Sequence, residues 1–277
     1  NSSTIFDKNI ILLFFSIIKI FRSLIESLKF LKTNKPDLVF GMGGYSSFPV
    51  CIAAKLLKIP FIIYENNLII GKANKYLMPL ATKIFVSQKE LDGVSKKHQD
   101  KVCEIGNIIR REILNFQTNY LENQKNKQLN ILVLGGSQAA KIFGERLPEI
   151  FNDCVKNNIL LKIYQQCLPE QNKSLKLFYK NLNIDSEIFN FSENLTQYFS
   201  KTNLAITRAG SSMLAELINC KIPFISVPLP SSADNHQLKN AIFYEKNKYS
   251  YLIEEKDLSE KLFKLIKQIY EDETLLK

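Results

Sequence analysis

What is scarce in this 277-residue chain narrows its chemistry first. Histidine occurs twice, at His98 and His236, far apart and with no cysteine at ligand spacing, which argues against a structural zinc site. The five cysteines, Cys51, Cys103, Cys154, Cys167 and Cys220, form no CxxC pair and sit in or near apolar runs, as buried free thiols do in a reducing compartment. No apolar run is long enough to cross a bilayer, which takes about 20 residues. The longest candidate, Ile10 to Phe21, is interrupted by Ser16 and Lys19. The opening residues lack an initiator Met and show no secretory pattern. No RNA-binding aromatic motif and no helix-turn-helix spacing accompanies the net charge of +10, and the basic residues are spread along the chain. Nucleic acid is therefore not an expected partner, whereas an anionic membrane surface or a phosphorylated substrate remains open. Low complexity is confined to one polar stretch, residues 115–130, which reads as a linker.

What is present alternates. Asp37 to Gly41 reads as a strand, Gly43-Gly44 as a turn and Phe48 to Leu57 as a helix. Strands follow at Pro60 to Tyr64, Ala81 to Val86 and Lys101 to Ile105, with a helix from Gly71 to Leu80. After the linker the pattern restarts with the wholly apolar strand Asn130 to Leu134, as expected in a sheet covered on both faces. Further strands are predicted at Ile159 to Tyr164, Glu187 to Phe191, Leu204 to Thr207 and Pro223 to Val227, and a helix at Asn235 to Lys246. Asp257-Leu-Ser-Glu260 has the spacing of a capping box. Strands alternating with helices indicate two successive doubly wound α/β units with parallel sheets. The expected limits are 1–114 for the first, 115–129 for the linker and 130–277 for the second. A helix over Ile10 to Lys32 carries Phe14, Ile17, Ile18, Phe21, Leu24, Ile25 and Leu28 at helical spacing, flanked by Lys19, Arg22, Lys29 and Lys32. That face suits a core or a membrane interface.

Three glycine turns follow strands: Gly41-Met-Gly-Gly-Tyr45, Gly135-Gly-Ser-Gln138 and Arg208-Ala-Gly-Ser-Ser212. Open α/β sheets bind ligands at such carboxyl ends, where helix N-termini offer N–H groups to phosphates. None completes G-x-G-x-x-G, which disfavours a nicotinamide or flavin; there is no Walker lysine and no DxD motif in a strand-end loop. No cofactor and no metal is expected. Glu216 lies two turns beyond Arg208; a carboxylate there can accept two hydrogen bonds from the vicinal hydroxyls of a ribose, or it can be an exposed helical Glu paired with a Lys.

Seven motifs then recur in one order: Gly41 to Tyr45; Tyr64-Glu-Asn-Asn67 with Gly71 and Asn74; Ile105-Gly-Asn107 with Arg110; Gly135 to Ala139; Arg208 to Ser212 with Glu216; Val227-Pro-Leu-Pro230; and Asp234-Asn-His-Gln237 with Asn240. In these, from about Phe21 to Asp257, the chain resembles the bacterial undecaprenyldiphospho-muramoylpentapeptide β-N-acetylglucosaminyltransferases. The resemblance implies a GT-B architecture of two Rossmann-like domains and inverting transfer of N-acetylglucosamine, in peptidoglycan synthesis. The partners it implies are UDP-N-acetylglucosamine as donor, undecaprenyl-linked muramyl-pentapeptide as acceptor and an anionic membrane surface. The expected location is peripheral, on the cytoplasmic face of the inner membrane. Carried over by position, Glu216 holds the ribose, Ser211, Ser212, Met213, Leu214 and Ala215 lie along the uridine diphosphate, and Ser137 and Arg110 meet the nucleotide or its phosphates; Arg208 belongs to the same donor site, where it or Arg110 can stabilise the charge of the leaving diphosphate. Gln237 contacts the sugar, Ser192 stands near the uracil, Asn67 faces the donor from the first domain, and Gly43, Gly44 and Tyr45 form the acceptor-side loop.

Several departures qualify the resemblance. The family's glycine-rich first loop ending in His is absent, so at about 30 residues per βαβ unit roughly 60 residues of the first domain are expected to be missing. No catalytic base is assigned to this chain. Tyr64 replaces a usual His, Asn66 a Gln and Ala140 a Gly, and Ser192 stands where an apolar residue is usual. Two alternatives stay open: a related glycosyltransferase acting on diacylglycerol, and a UDP-sugar-binding fragment without turnover.

Overall fold

The computed structural model describes residues 3–116 and 128–276, with side chains described except at 3–17, 137–140 and 273. The chain divides into two compact units, Asn1–Asn107 and Ile108–Lys277.

The first unit opens with the long helix α1 (Ser3–Asn34) and continues β1 (Val39–Gly41), α2 (Gly44–Leu56), β2 (Phe61–Glu65), α3 (Lys72–Leu77), β3 (Lys83–Val86) and β4 (Val102–Glu104). The strands form a parallel sheet in the order β1-β2-β3-β4. Alternate residues point to opposite faces. Val39, Phe61, Ile63, Ile84 and Val86 join Leu31 of α1 and Cys51, Ala53 and Ala54 of α2 in one core. On the other face Phe40 packs against the rings of Tyr64 and Phe85. The expected apolar face of α1 divides. Leu24 and Leu28 pack on this core, whereas Ile18, Phe21 and Ile25 are exposed; the side chains of Phe14 and Ile17 lie outside the described residues.

The second unit starts with α4 (Arg111–Leu114) and continues β5 (Leu129–Leu134), α5 (Gly136–Lys156), β6 (Leu161–Gln166), α6 (Asn172–Asn181), β7 (Asp185–Phe189), α7 (Thr196–Phe199), β8 (Leu204–Thr207), α8 (Ser211–Asn219), β9 (Phe224–Ser226), α9 (His236–Lys246), β10 (Ser250–Leu252) and α10 (Leu258–Glu271). Its six parallel strands run β7-β6-β5-β8-β9-β10. Read from β7, this is third, second, first, fourth, fifth, sixth, the Rossmann order, whose switch point lies between β5 and β8. Both faces are buried: Ile131 and Val133 of β5 face the core under α5, α6 and α10, and Leu132 and Leu134 face the core under α8 and α9.

Residues 108–114, given to the first domain by the expected limits, pack on the second unit. Ile113 is fully buried in its core, and Asn219 Nδ2 donates to the Ile113 carbonyl at 2.8 Å. Most of the expected linker, residues 117–127, lies outside the described residues. The capping box expected at Asp257 does not form. A 3₁₀ turn, Glu255–Asp257, runs straight into α10 and holds Asp257 in a helical conformation, so its carboxylate turns to Lys261 at 2.7 Å. The short strand β10 lies in Tyr249-Ser-Tyr-Leu-Ile253 and is not among the strands expected from the sequence.

Candidate functional site

In the second unit the turns after β5 and β8 meet at the switch point. Gly135, Gly136, Gln166, Ser192, Thr207, Arg208, Gly210, Met213, Leu229 and Gln237 line one cleft of about 420 Å³ there. Gly136 has φ 65, and open space surrounds the position its Cβ would take. Only glycine adopts that left-handed conformation freely, and it turns the chain from β5 into α5. The Gly136 amide donates to Gln166 Oε1 at 3.1 Å, so a side-chain oxygen occupies the place an anion would take at this helix start. Ser137 follows in the first turn of α5; its side chain and Ala140 lie outside the described residues.

The β8–α8 turn supplies the other wall. Ser211, Ser212 and Met213 form the first turn of α8, where amides have no intrahelical acceptor. Leu214 turns into the core beneath α8 and α9, and Ala215 is buried as well. Glu216 is 5% exposed. Arg110, at the start of α4, clasps it in a bidentate pair: Nε donates to Oε1 at 2.8 Å and Nη2 to Oε2 at 2.7 Å. This carboxylate and its partial desolvation set the cation's state, and the hydrogen bond to Glu216 raises the Arg110 pKa above its ordinary value. A carboxylate accepts about four hydrogen bonds. Two remain for Glu216 after Arg110, and two vicinal hydroxyls would use them.

Arg208 lines the cleft, and its guanidinium also holds protein groups. It is 7% exposed, and its guanidinium donates to the carbonyls of Val227 and Pro228 and to Glu255. Gln237, at the start of α9, accepts from the Leu229 amide at 3.0 Å. Ser192 Oγ donates to the Asn194 carbonyl at 3.0 Å.

In the first unit, Gly43 and Gly44 have φ 78 and 76 and swing the chain from β1 into α2, leaving Tyr45 87% exposed. A Cβ on Gly43 would stand 3.3 Å from Asn74 Nδ2. The loop after β2 is built on Glu65, 5% exposed. Its Oε1 accepts from the Asn67 amide (3.1 Å) and Asn67 Nδ2 (3.2 Å), and its Oε2 from the Gly71 amide and Asn74 Nδ2 (both 2.9 Å). Asn67 is thereby fixed on both its backbone and side chain. The Tyr64 hydroxyl lies 3.1 Å from Asn66 Oδ1 and from the Gly106 carbonyl, which joins two of the sequence motifs.

The sequence reading assigned no role to Glu65, Gln166 or Glu255. Glu65 and Gln166 carried a signal, being polar residues that end apolar strands. Glu255 carried none, because its partner Arg208 is 47 residues away. Among the described residues no cluster of His, Cys, Asp and Glu could hold a metal ion.

Residues 130–277 match the glycosyltransferase family 28 C-terminal domain, and residues 6–86 match the family 28 N-terminal domain. Two curated relatives carry the name UDP-N-acetylglucosamine--N-acetylmuramyl-(pentapeptide) pyrophosphoryl-undecaprenol N-acetylglucosamine transferase. That of Pelagibacter ubique is 35% identical over 97% of this chain and 75% of its own length. That of Rickettsia bellii is 34% identical over 92% of this chain and 74% of its own length. Among solved structures, MurG of Acinetobacter baumannii superposes with a TM-score of 0.74 at 26% identity, over 94% of this chain and 73% of that one.

Proposed function

Because the chain belongs to glycosyltransferase family 28, we propose that it transfers N-acetylglucosamine from UDP-N-acetylglucosamine to undecaprenyl-diphospho-muramoylpentapeptide, with inversion at the sugar. The observation that carries the donor half is the pairing of Arg110 with Glu216 in α8, the helix whose Met213 lines the β5/β8 cleft. It holds a buried carboxylate in one orientation with two acceptor positions left for a ribose. The uridine diphosphate would lie between the first turns of α5 and α8. There the aligned amides of two helix N-termini stabilise the charge that grows on the leaving diphosphate. Ser192 would stand at the uracil and Gln237 at the sugar. Asn67, fixed by Glu65, and the Gly43-Gly44-Tyr45 turn are assigned to the first unit's share of the reaction.

The same reading places the protein at the cytoplasmic face of the bacterial inner membrane as a peripheral protein. Among the described residues no helix is long and apolar enough to cross a membrane. Exposed Ile18, Phe21 and Ile25 share a stripe of α1 with Arg22, Lys29 and Lys32, a pattern suited to an anionic lipid surface.

The deciding experiment is thermal unfolding with UDP-N-acetylglucosamine, with UDP-glucose and without ligand. A donor at about 100 times its dissociation constant adds about 2.7 kcal/mol of stability. The expected result is a selective upward shift with the N-acetyl sugar. No shift with either sugar refutes the donor assignment. Transfer to a lipid-linked muramyl acceptor, against diacylglycerol, tests the acceptor.

A further inference from the structure

Arg208 spends its cation inside the protein. Nη1 donates to the Val227 carbonyl at 3.2 Å and the Pro228 carbonyl at 3.3 Å, and Nη2 donates to Glu255 Oε2 at 2.5 Å. The guanidinium also lies 4.9 Å from the centroid of the Phe143 ring. These contacts commit both terminal nitrogens of the guanidinium to protein acceptors at the edge of the cleft. What it grips is the chain just after β9. On the far side of that segment the Leu229 amide donates to Gln237 Oε1, and Gln237 lines the cleft. Glu255, in the 3₁₀ turn before α10, is held in its own right, because its carbonyl accepts from Arg146 Nη1 at 3.0 Å.

We propose that Glu255 is a positioning residue for the sugar end of the donor. Through Arg208 it fixes the Val227–Leu229 segment, and with that segment Gln237. The inference rests on the reading of the cleft as the UDP-N-acetylglucosamine site. Glu255 orients and neutralises Arg208; without its carboxylate the buried cation has a reason to shift toward solvent and release the two carbonyls. The ribose site is built otherwise, from Glu216 and Arg110, and does not pass through Glu255. Loss of the Glu255 side chain therefore acts on the sugar and spares the nucleotide. Arg146 keeps the backbone of the turn in place, and a glutamine at 255 still offers Arg208 an acceptor.

The test is calorimetric titration of the full chain with UDP and with UDP-N-acetylglucosamine, for wild type, Glu255→Ala, Glu255→Gln and Glu216→Ala. Glu255→Ala is expected to weaken UDP-N-acetylglucosamine about ten-fold and UDP less than about three-fold, the scale of one lost polar contact. Glu255→Gln should restore most of the loss, and Glu216→Ala should weaken both ligands alike. Equal loss of both ligands in Glu255→Ala, or no loss of either, overturns the proposal. Should Glu255→Ala fail to fold, Arg208→Lys, which keeps a cation but loses the fork, must show the same split, and equal loss there overturns it too. A wild-type chain that binds neither ligand removes the donor reading itself, and the positioning role with it.

Discussion

Among the described residues each unit buries one glutamate, Glu65 after β2 and Glu216 in α8, and the two are satisfied in opposite ways. Glu65 in the first unit accepts four hydrogen bonds from uncharged N–H groups, two on each oxygen. Glu216 in the second accepts two, both from the Arg110 guanidinium. The first carboxylate is saturated and has no capacity left for a ligand, so its work is to hold a loop. The second keeps about half its acceptor capacity, with its charge balanced by a cation. Burial alone would have ranked the two alike, since each is 5% exposed. The count of donors separates scaffold from candidate binding group.

Removing each carboxylate should therefore do different damage. Glu65→Ala strands four donors in and around the β2 loop and is expected to cost about 3 kcal/mol or more, at about 1–3 kcal/mol for each buried polar group left unpaired. Differential scanning calorimetry should show the first unit melting earlier while UDP binding to the second persists. Glu65→Gln, which turns half of the acceptor pair into a donor facing donors, should fall between. A Glu65→Ala chain as stable as wild type would break the distinction.

Glu216→Ala should show the converse. Arg110 is 38% exposed at its side chain, so water can solvate the cation left behind and stability changes little. UDP affinity should drop by about 100-fold or more, since each of two hydrogen bonds to a charged acceptor is worth about 1.5–3 kcal/mol. Arg110→Ala keeps the acceptor but frees its orientation, and should cost affinity less than Glu216→Ala. Isothermal titration decides both. Were Arg110→Ala the more damaging change, the cation rather than the carboxylate would be the nucleotide's main contact.

Alkaline pH sharpens the contrast, because buried thiols are common to both units. Burial pushes Cys51 in the first unit to about 11, and Cys154 and Cys220 in the second to about 12 and about 11, from an ordinary 9.0. The folded state thus keeps protons that the unfolded chain releases. The stability this contributes is present below pH 9.0 and is lost as pH rises from there through 11. Urea midpoints should fall over that window in both units, and Cys51→Ala should flatten the fall in the first unit alone. An unchanged slope would mean that the thiols do not titrate with unfolding.

Much of this was readable in the chain, and the limits have physical causes. The alternation of apolar runs with glycine turns predicts two parallel α/β units, because strands covered on both faces are short and wholly apolar. The sequence places Glu216 two helical turns after Arg208, and in the structure it is buried in α8 three residues after Met213, which lines the cleft. It could not show that Arg110 would hold Glu216, a contact across 106 residues, nor that Arg208 would be spent on Glu255. Side-chain commitments of this kind depend on which strands become neighbours, and β10, which delivers the Glu255 turn, is only three residues long. The turn at Asp257 failed for a local reason: a capping box needs an extended N-cap, and the preceding 3₁₀ turn forbids it.

The smallest effect on stability is expected on α1, and it tests a different property of the first unit. Leu24, Leu28 and Leu31 already fasten the helix to the core. Ile18, Phe21 and Ile25 are therefore not needed to hold it there, and Phe21 is 64% exposed. Replacing Phe21 and Ile25 with serine should leave stability within about 0.5 kcal/mol, as exposed substitutions do. If the stripe enters a lipid surface, each of those side chains contributes about 1.5–3 kcal/mol there, and each neighbouring Lys or Arg about 1 kcal/mol on anionic lipid. Flotation with anionic vesicles should then fall sharply in the double serine variant, while Lys29→Gln with Lys32→Gln should weaken it mainly at low salt. Flotation unchanged in the serine variant would show that this stripe of α1 is not the docking surface, because removing two side chains inserted into lipid must weaken binding.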